Sequence, residues 1–187
     1  PIVDLLNNSD GKKIIGIFEN LHWHRYSRNY RRFFVEGVTQ LALTFSHITF
    51  LVKTHPSGCW LNSHEGKVLA NIHNLILVKP DMAEWTNFSV NQIFPILRGV
   101  ISTPSSVVVD AARYGLPVAL VAETLNIKRY SPLFSINEYN DWAGYVRMLE
   151  NDASVKELKL KSAQFLERAI VPGDSAALII DDVSAYL

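Results

Sequence analysis

The feature of this chain that most constrains its fold is a series of short apolar runs that do not alternate with polar residues. Strands that are apolar on both sides are typical of parallel sheets whose two faces are both covered by helices. Segments with polar ends and helical periodicity separate the runs. The five runs are KKIIGIFE (12–19), HITFLVKT (47–54), NLILV (74–78), GVIS (99–102) and LPVALVA (116–122).

The segments between the runs predict helices. Segment 28–45 places Phe34, Val38 and Leu41 on one helical face, Ser89 suits an N-cap, and Gly115 suits the end of a helix. Alternating strands and helices predict a Rossmann-like, doubly wound α/β domain with about six parallel strands in the order 3-2-1-4-5-6. The predicted helices cover 28–45, 65–71, 89–98 (with Pro95 as a flaw), 105–114, 137–150, 154–169 and 175–186.

Composition excludes several classes of protein. The formal net charge is zero over 187 residues, so no basic surface indicates nucleic-acid binding. No run of about 18 apolar residues indicates a membrane span. The single cysteine, Cys59, excludes an internal disulfide framework and favours a cytoplasmic protein, with peripheral association at the inner membrane face still open. Because the chain opens on Pro1 with no signal peptide, we expect residues 1–187 to be a single domain from a larger enzyme.

Two motifs follow predicted strands. His55-Pro56 comes after the second strand, and Thr103-Pro104-Ser105-Ser106 comes after the fourth and leads into a helix containing Asp110. Carboxyl ends of parallel strands meet at one edge of the sheet, where open α/β domains bind ligands. Serine hydroxyls and unpaired backbone N–H groups at a helix start can hold a phosphate. The sequence therefore predicts an anion site, with Asp110 in reach of a sugar hydroxyl.

Each motif also has a simpler interpretation. Ser105 and Ser106 suit plain helix capping, Asp110 suits an exposed helical position, and His55 suits a strand end satisfied by backbone groups. Neither motif is specific alone. Their order along the chain and their positions after strands favour the ligand-binding interpretation.

The order of the two motifs resembles a known family. Strand–His-Pro, then strand–Ser-Ser-x-x-x-Asp–helix–Gly-x-Pro-Val is similar to the donor-binding C-terminal domain of GT-B glycosyltransferases. The resemblance extends to bacterial sialyltransferases and Kdo transferases, with His-Pro and Ser-Ser motifs, and to CDP-glycerol glycerophosphotransferases, which carry Asp-Tyr-Ser-Ser-x-x-x-Asp. Here Thr103-Pro104 replaces Asp-Tyr, which favours the first group or a more distant surface-polysaccharide enzyme.

The resemblance implies a role for each motif residue. His55 would donate to the donor phosphate and help the leaving group depart, while Thr103, Ser105 and Ser106 would hold that phosphate. Asp110 would bind the ribose. The remaining implied contacts are to the base, from Lys79 and Pro80.

The resemblance also implies a substrate class and partners. The donor would be a CMP- or CDP-activated sugar used in bacterial capsule, lipopolysaccharide or teichoic acid synthesis, with no metal or cofactor. A glycan or lipid-linked acceptor would bind an N-terminal domain that this chain lacks. The isolated chain would then bind nucleotide without completing transfer.

Four further residues are candidate contacts in the interdomain cleft: Glu19, His24, Arg25 and Glu123. A surface loop explains His24 and Arg25 equally well, and the His22-x-His24 pair has no obvious third ligand for a metal. Two other functions stay open. A nucleotide-sugar 2-epimerase has the same architecture but usually carries Ser-Gly-Gly and a helical glutamate, and a degenerate domain of this fold would serve as a non-catalytic interaction module.

Overall fold

The computed structural model describes residues 13–22, 24–55, 60–62, 65–78 and 89–170. Six parallel strands form one sheet in the order β3-β2-β1-β4-β5-β6, as predicted. The domain is therefore an open, Rossmann-like α/β fold. The strands are β1 (Ile14–Phe18), β2 (Thr49–Lys53), β3 (Leu75–Val78), β4 (Gly99–Ser102), β5 (Val118–Val121) and β6 (Phe134–Ile136).

Helices connect the strands on both faces of the sheet. The α-helices are α1 (Arg28–Thr44), α2 (Val90–Ile93), α3 (Val107–Arg113), α4 (Tyr139–Glu150) and α5 (Asp152–Ala169). Short 3₁₀ turns cover Trp60–Asn62, Lys67–Asn71, Phe94–Ile96 and Lys128–Tyr130. No helix in these ranges is long and apolar enough to cross a membrane.

The central strand β1 explains why the runs are apolar throughout. All five of its residues are buried, and successive side chains enter opposite layers of the core. Ile15 and Ile17 pack with residues of α1 and α4, while Ile14 and Phe18 pack with residues of α2, α3 and α5. Because both faces of such a strand are covered, its sequence does not alternate between apolar and polar residues.

Close packing of α1 against α4 depends on a glycine. A Cβ atom added to Gly37 would lie 2.3 Å from Cε2 of the buried Trp142 side chain. No other residue fits there without moving the indole ring. The contact sets the distance between the two helices on this face of the sheet.

Some boundaries differ from the prediction. The prediction treated 89–98 as one helix, but α2 ends at Ile93 and a 3₁₀ turn containing Pro95 follows, because proline cannot donate to the preceding turn. Helix α3 begins at Val107, so both serines precede it. The segment 65–71 contains only 3₁₀ structure, and β6 was not located from the sequence. The predicted helix 175–186 lies outside the described residues.

Candidate functional site

A cavity of about 640 Å³ opens at the carboxyl edge of the sheet, where β1, β2 and β4 end. This is the edge at which open parallel sheets bind ligands. The predicted motifs therefore converge on one space. Its lining comprises Phe18, Glu19, Asn20, Arg25, Lys53, Thr54, His55, Val90, Pro104, Ser105, Ser106, Val107, Val109, Arg129 and Tyr130.

The serine pair lines this cavity and is not used for helix capping. Ser106 precedes α3 with helical backbone angles, and its side chain makes no capping hydrogen bond. The Ser105 hydroxyl lies 3.2 Å from the Ser102 hydroxyl. Capping by their side chains therefore does not account for the pair, and both residues border the cavity.

Asn20 fixes the turn that carries the serines. Its side-chain amide donates to the Pro104 carbonyl at 3.2 Å, and its Oδ1 accepts from Thr103 Oγ1 at 2.6 Å. The same Oδ1 accepts from the Tyr26 hydroxyl at 2.6 Å. All these groups are buried, so the hydrogen bonds form where water cannot replace them. The loop after β1 thereby determines the position of the loop after β4.

The structure places Thr103 behind the cavity wall. Its side chain is fully buried, and its hydroxyl also accepts from the Asn20 backbone N–H at 3.2 Å. Thr103 does not line the cavity. In this structure it holds the serine turn in place, whereas the sequence predicted a phosphate contact.

Arg25 reinforces the same turn. Its guanidinium donates to the Pro104 carbonyl at 2.6 Å and to the Tyr26 hydroxyl at 2.9 Å. The group also lies over the Tyr26 ring, 4.9 Å from its centroid. Arg25 thus joins the serine turn to the β1 loop while presenting a positive charge to the cavity.

The lining is strongly basic. Arg25, Lys53, His55 and Arg129 border the cavity, and Glu19 is the single carboxyl group among its lining residues in the described part of the chain. Burial lowers the pKa of Lys53, which is half-buried at the end of β2. A cavity with this balance of charge favours anionic ligands.

His55 lies next to a second imidazole, that of His22, with the two ring planes tilted by 37°. The His22 and His55 ring centroids lie 4.8 Å apart. The pKa of His22 is lowered, first by burial and then by the charges of His55 and Arg25. The pair places His55 at the cavity wall with His22 beside it.

Glu19 is the most buried ionisable group among the residues that line the cavity. It is 4% exposed, and its Oε2 accepts from the Leu21 backbone N–H at 2.5 Å. Burial raises its pKa to about 7, partly offset by backbone N–H groups of Leu21 and His55 and by the Arg31 charge. Glu19 can therefore gain or lose a proton near neutral pH.

Three predicted contacts lie elsewhere. Asp110 is partly buried on α3, but the neighbouring Val109 lines the cavity in its place. His24 is exposed in the loop after β1. Glu123 follows β5 with a φ of 45°, and its carboxylate accepts from the Thr124 N–H at 2.8 Å. Lys79 and Pro80, the predicted base contacts, lie outside the described residues.

Five polar lining residues were not predicted from the sequence: Asn20, Lys53, Thr54, Arg129 and Tyr130. Lys53 lies near the end of the second apolar run, 47–54, where a basic residue ending a strand was an available signal. The 3₁₀ turn between β5 and β6 brings Arg129 and Tyr130 to the cavity, with the guanidinium 5.0 Å from the ring centroid. Within the described ranges, no group of three or more His, Cys, Asp or Glu residues is placed to hold a metal.

No protein-family model and no curated protein sequence matches this chain. Solved structures do match it. S. aureus MnaA, solved with UDP, has a TM-score of 0.63 at 12% identity over 98% of this chain and 48% of its own. The UDP-GlcNAc 2-epimerase from Neisseria meningitidis, bound to UDP-GlcNAc, has a TM-score of 0.65 at 13% identity over 98% and 49% of the two chains.

A second kind of enzyme has the same fold. A structure of the wall teichoic acid polymerase TagF with CDPG has a TM-score of 0.57 at 17% identity over 88% of this chain and 42% of its own. The domain has a GT-B-like fold. This chain spans about half the length of these neighbours.

Proposed function

We propose that this domain binds the nucleotide-activated donor of a bacterial glycosyltransferase. The observation that carries the proposal is the cavity at the carboxyl edge of the sheet, bordered by four basic side chains and the serine pair. Phosphate groups match a lining of cationic groups and hydroxyl donors. Because α3 has only seven residues, the proposal rests on these side chains and not on a helix dipole.

Each residue then has a role in holding the donor. Ser105 and Ser106 bind the phosphate next to the sugar. Protonated His55 donates to the same phosphate and stabilises the charge that develops as the glycosyl bond breaks. Asp110 binds the ribose where it extends beyond Val109, and Lys79 and Pro80 bind the base. No metal is required, since the basic side chains neutralise the phosphate.

The donor is proposed to be CMP- or CDP-activated. The support is the Ser-Ser-x-x-x-Asp motif, together with the fold shared with TagF, whose structure was solved with CDPG. We further propose that the sugar enters capsule, lipopolysaccharide or teichoic acid in the cytoplasm, and that a second domain binds the glycan or lipid-linked acceptor.

Isothermal titration calorimetry with CMP, CDP, UMP and UDP tests this proposal. We expect binding of all four, with cytidine preferred. A clear uridine preference would overturn the cytidine assignment, and no binding of any nucleotide would overturn the function. Replacing both Ser105 and Ser106 by Ala should weaken binding about tenfold or more, since two phosphate contacts are lost. Ser46→Ala is the matched control, because Ser46 is exposed before β2, at the opposite edge of the sheet.

A nucleotide-sugar 2-epimerase is the second candidate. The UDP-GlcNAc 2-epimerase from Neisseria meningitidis matches with a TM-score of 0.65, against 0.57 for TagF. Under this hypothesis the cavity binds UDP-GlcNAc and prefers UDP to CDP. The test is exchange of the C2 proton of UDP-GlcNAc for deuterium from the solvent, measured by NMR with the full-length enzyme. Such exchange would favour the epimerase over the transferase.

A further inference from the structure

Glu19 differs from the other groups of the cavity because it is acidic and buried, and one of its carboxyl oxygens has no hydrogen bond within the described residues. Its Oε2 accepts a hydrogen bond from the Leu21 N–H, and the His55 backbone N–H also favours the carboxylate. Its Oε1 is buried and makes no hydrogen bond with any residue of the described ranges. An ionised carboxylate needs several donors or a close cation to offset lost hydration. This geometry stabilises the neutral acid more than the carboxylate.

The surrounding charges do not reverse the preference of Glu19 for its neutral form. Arg31 of α1 acts on Glu19, but its guanidinium donates to the Leu21 carbonyl at 2.8 Å and lies 5.4 Å from the Trp60 ring centroid. Burial still raises the pKa of Glu19 to about 7. Among the described residues, the titratable and charged groups around Glu19 and its cavity are His22, Arg25, Arg31, Lys53, His55, Arg129 and Tyr130.

An anion in the cavity would directly change the equilibrium between the neutral and the ionised forms of Glu19. Glu19 borders the same space as the serines and the four basic residues. A bound phosphate brings a second negative charge into the cavity that the buried Glu19 carboxyl borders. Two like charges at short range disfavour each other, so the weaker acid of the pair takes up a proton.

We propose that the cavity binds its anion together with a proton, which Glu19 takes up from solvent. This inference rests on the proposed function, because the anion is the phosphate of the donor nucleotide. One proton joins the Glu19 carboxylate and no other bond forms or breaks. Glu19 acts as a positioning residue: its neutral form permits the phosphate to approach, and its ionised form opposes it.

Calorimetry in two buffers of different ionisation heat, HEPES and Tris, measures the protons taken up on binding. At pH 7.5, the protein should take up a substantial fraction of a proton per CDP. Glu19→Gln, which keeps the shape and removes the charge, should lose most of that uptake. Above pH 7, the affinity of the unchanged protein for CDP should fall by up to about tenfold for each pH unit. In Glu19→Gln, the affinity for CDP should depend less on pH.

His55 is the competing proton acceptor, so His55→Gln is measured in parallel. The His55→Gln protein should still show the proton uptake on CDP binding that is due to Glu19 and is lost in Glu19→Gln. Glu167→Gln, at an exposed position on α5, should behave as the unchanged protein. Uptake that persists in Glu19→Gln and disappears in His55→Gln would overturn the proposal.

Carbon-13 NMR of the glutamate carboxyl groups provides a readout independent of affinity. The Glu19 carboxyl signal is assigned as the one that disappears in Glu19→Gln. This signal should titrate near pH 7 in the free protein and at higher pH when CDP is bound. A midpoint that CDP does not move would overturn the proposal. Binding of pyrophosphate with Glu19-dependent proton uptake, but no binding of CDP or UDP, would contradict the proposed function and leave the proton coupling standing. Binding of neither probe would contradict both.

Discussion

Asn20 and Thr103 are joined by two hydrogen bonds although 83 residues separate them in the chain. The Thr103 hydroxyl donates to Asn20 Oδ1 at 2.6 Å and accepts from the Asn20 N–H at 3.2 Å. The bonds connect the end of β1 to the turn that carries Ser105 and Ser106. The geometry of the candidate phosphate site therefore depends on Thr103, which does not line the cavity.

Removing the Thr103 hydroxyl should lower both stability and nucleotide affinity. Thr103→Val preserves the side-chain shape but leaves the Asn20 N–H without its acceptor, at an expected cost of about 1–2 kcal/mol in the free energy of unfolding. Binding of CDP should weaken several-fold because the serine turn loosens. Urea denaturation and calorimetry measure the two effects.

Two variants control this experiment. Thr103→Ser should retain both properties, since the hydroxyl remains, and Thr44→Val, at the exposed end of α1, should change neither. If Thr103→Val loses stability but binds CDP as tightly as the unchanged protein, Thr103 does not position the site.

Glu19 should make the free energy of unfolding fall with rising pH. Its pKa is about 7 in the folded protein, against 4.5 for the ordinary side chain. Between these values the unfolded chain releases the proton while the folded protein retains it, so stability declines from about pH 4.5 to pH 7 and is then constant. The full loss is on the order of 3 kcal/mol.

Glu19→Gln isolates this contribution. The variant cannot ionise, so it should be more stable than the unchanged protein at pH 8 and show a smaller decline between pH 5 and pH 8 in urea denaturation. Equal pH profiles for the two proteins would show that Glu19 has an ordinary pKa. Glu167→Gln should reproduce the profile of the unchanged protein.

Asn74 should be among the most sensitive structural positions. Its buried amide nitrogen lies 3.0, 3.1 and 2.9 Å from the carbonyl oxygens of Ala42, Phe45 and Ile48, which end α1 and lead into β2. Asn74→Ala should cost about 2–3 kcal/mol in unfolding free energy, because it leaves buried carbonyls unpaired. Asn74→Asp should cost more at pH 7, since a carboxylate would face those oxygens.

Thermal and urea denaturation of the two variants checks this order. Asn140→Ala, at an exposed position of α4, should stay within about 0.5 kcal/mol of the unchanged protein. A smaller effect for Asn74→Asp than for Asn74→Ala would contradict the donor role of the amide.

His55 should affect the chemical step more than donor binding. In the full-length enzyme, His55→Ala should lower kcat by about a hundredfold or more while KM for the donor changes little, because the imidazolium acts on charge that develops in the transition state. His73→Ala, an exposed histidine before β3, serves as the control for steady-state kinetics. A rise in KM with unchanged kcat would make His55 a binding residue only.

The order of the strands was predictable because β1 to β5 are continuous apolar runs in a regular pattern. The sixth strand was not located, since Phe134–Ile136 has three residues, one of them serine, directly after a turn that contains Pro132. A run of that length carries no readable period. Elements with strong packing requirements can therefore be predicted from local sequence, whereas the shortest elements cannot.

The site was only partly predictable for a related reason. His55, Ser105 and Ser106 stood out because they follow strands that end at the same edge. Asn20 did not, because its partners are 83 and 84 residues away and appear only when β1 and β4 pair. Arg129 reaches the cavity through an irregular segment with no periodic pattern. Contacts made by loops depend on the tertiary fold and leave little trace in local sequence.

Mapping a bound nucleotide by NMR tests the central claim most directly. Adding CDP to the nitrogen-15-labelled chain should shift the amide signals of Glu19, Asn20, Thr54, His55 and Ser105–Val107, which border the cavity. The same titration should leave the groove lined by Arg28, Arg32 and Trp60, beside α1, unchanged. Saturable shifts confined to the cavity are the predicted result. Shifts confined to that groove, or an unchanged spectrum at millimolar CDP, would contradict the assignment of this cavity as the donor site.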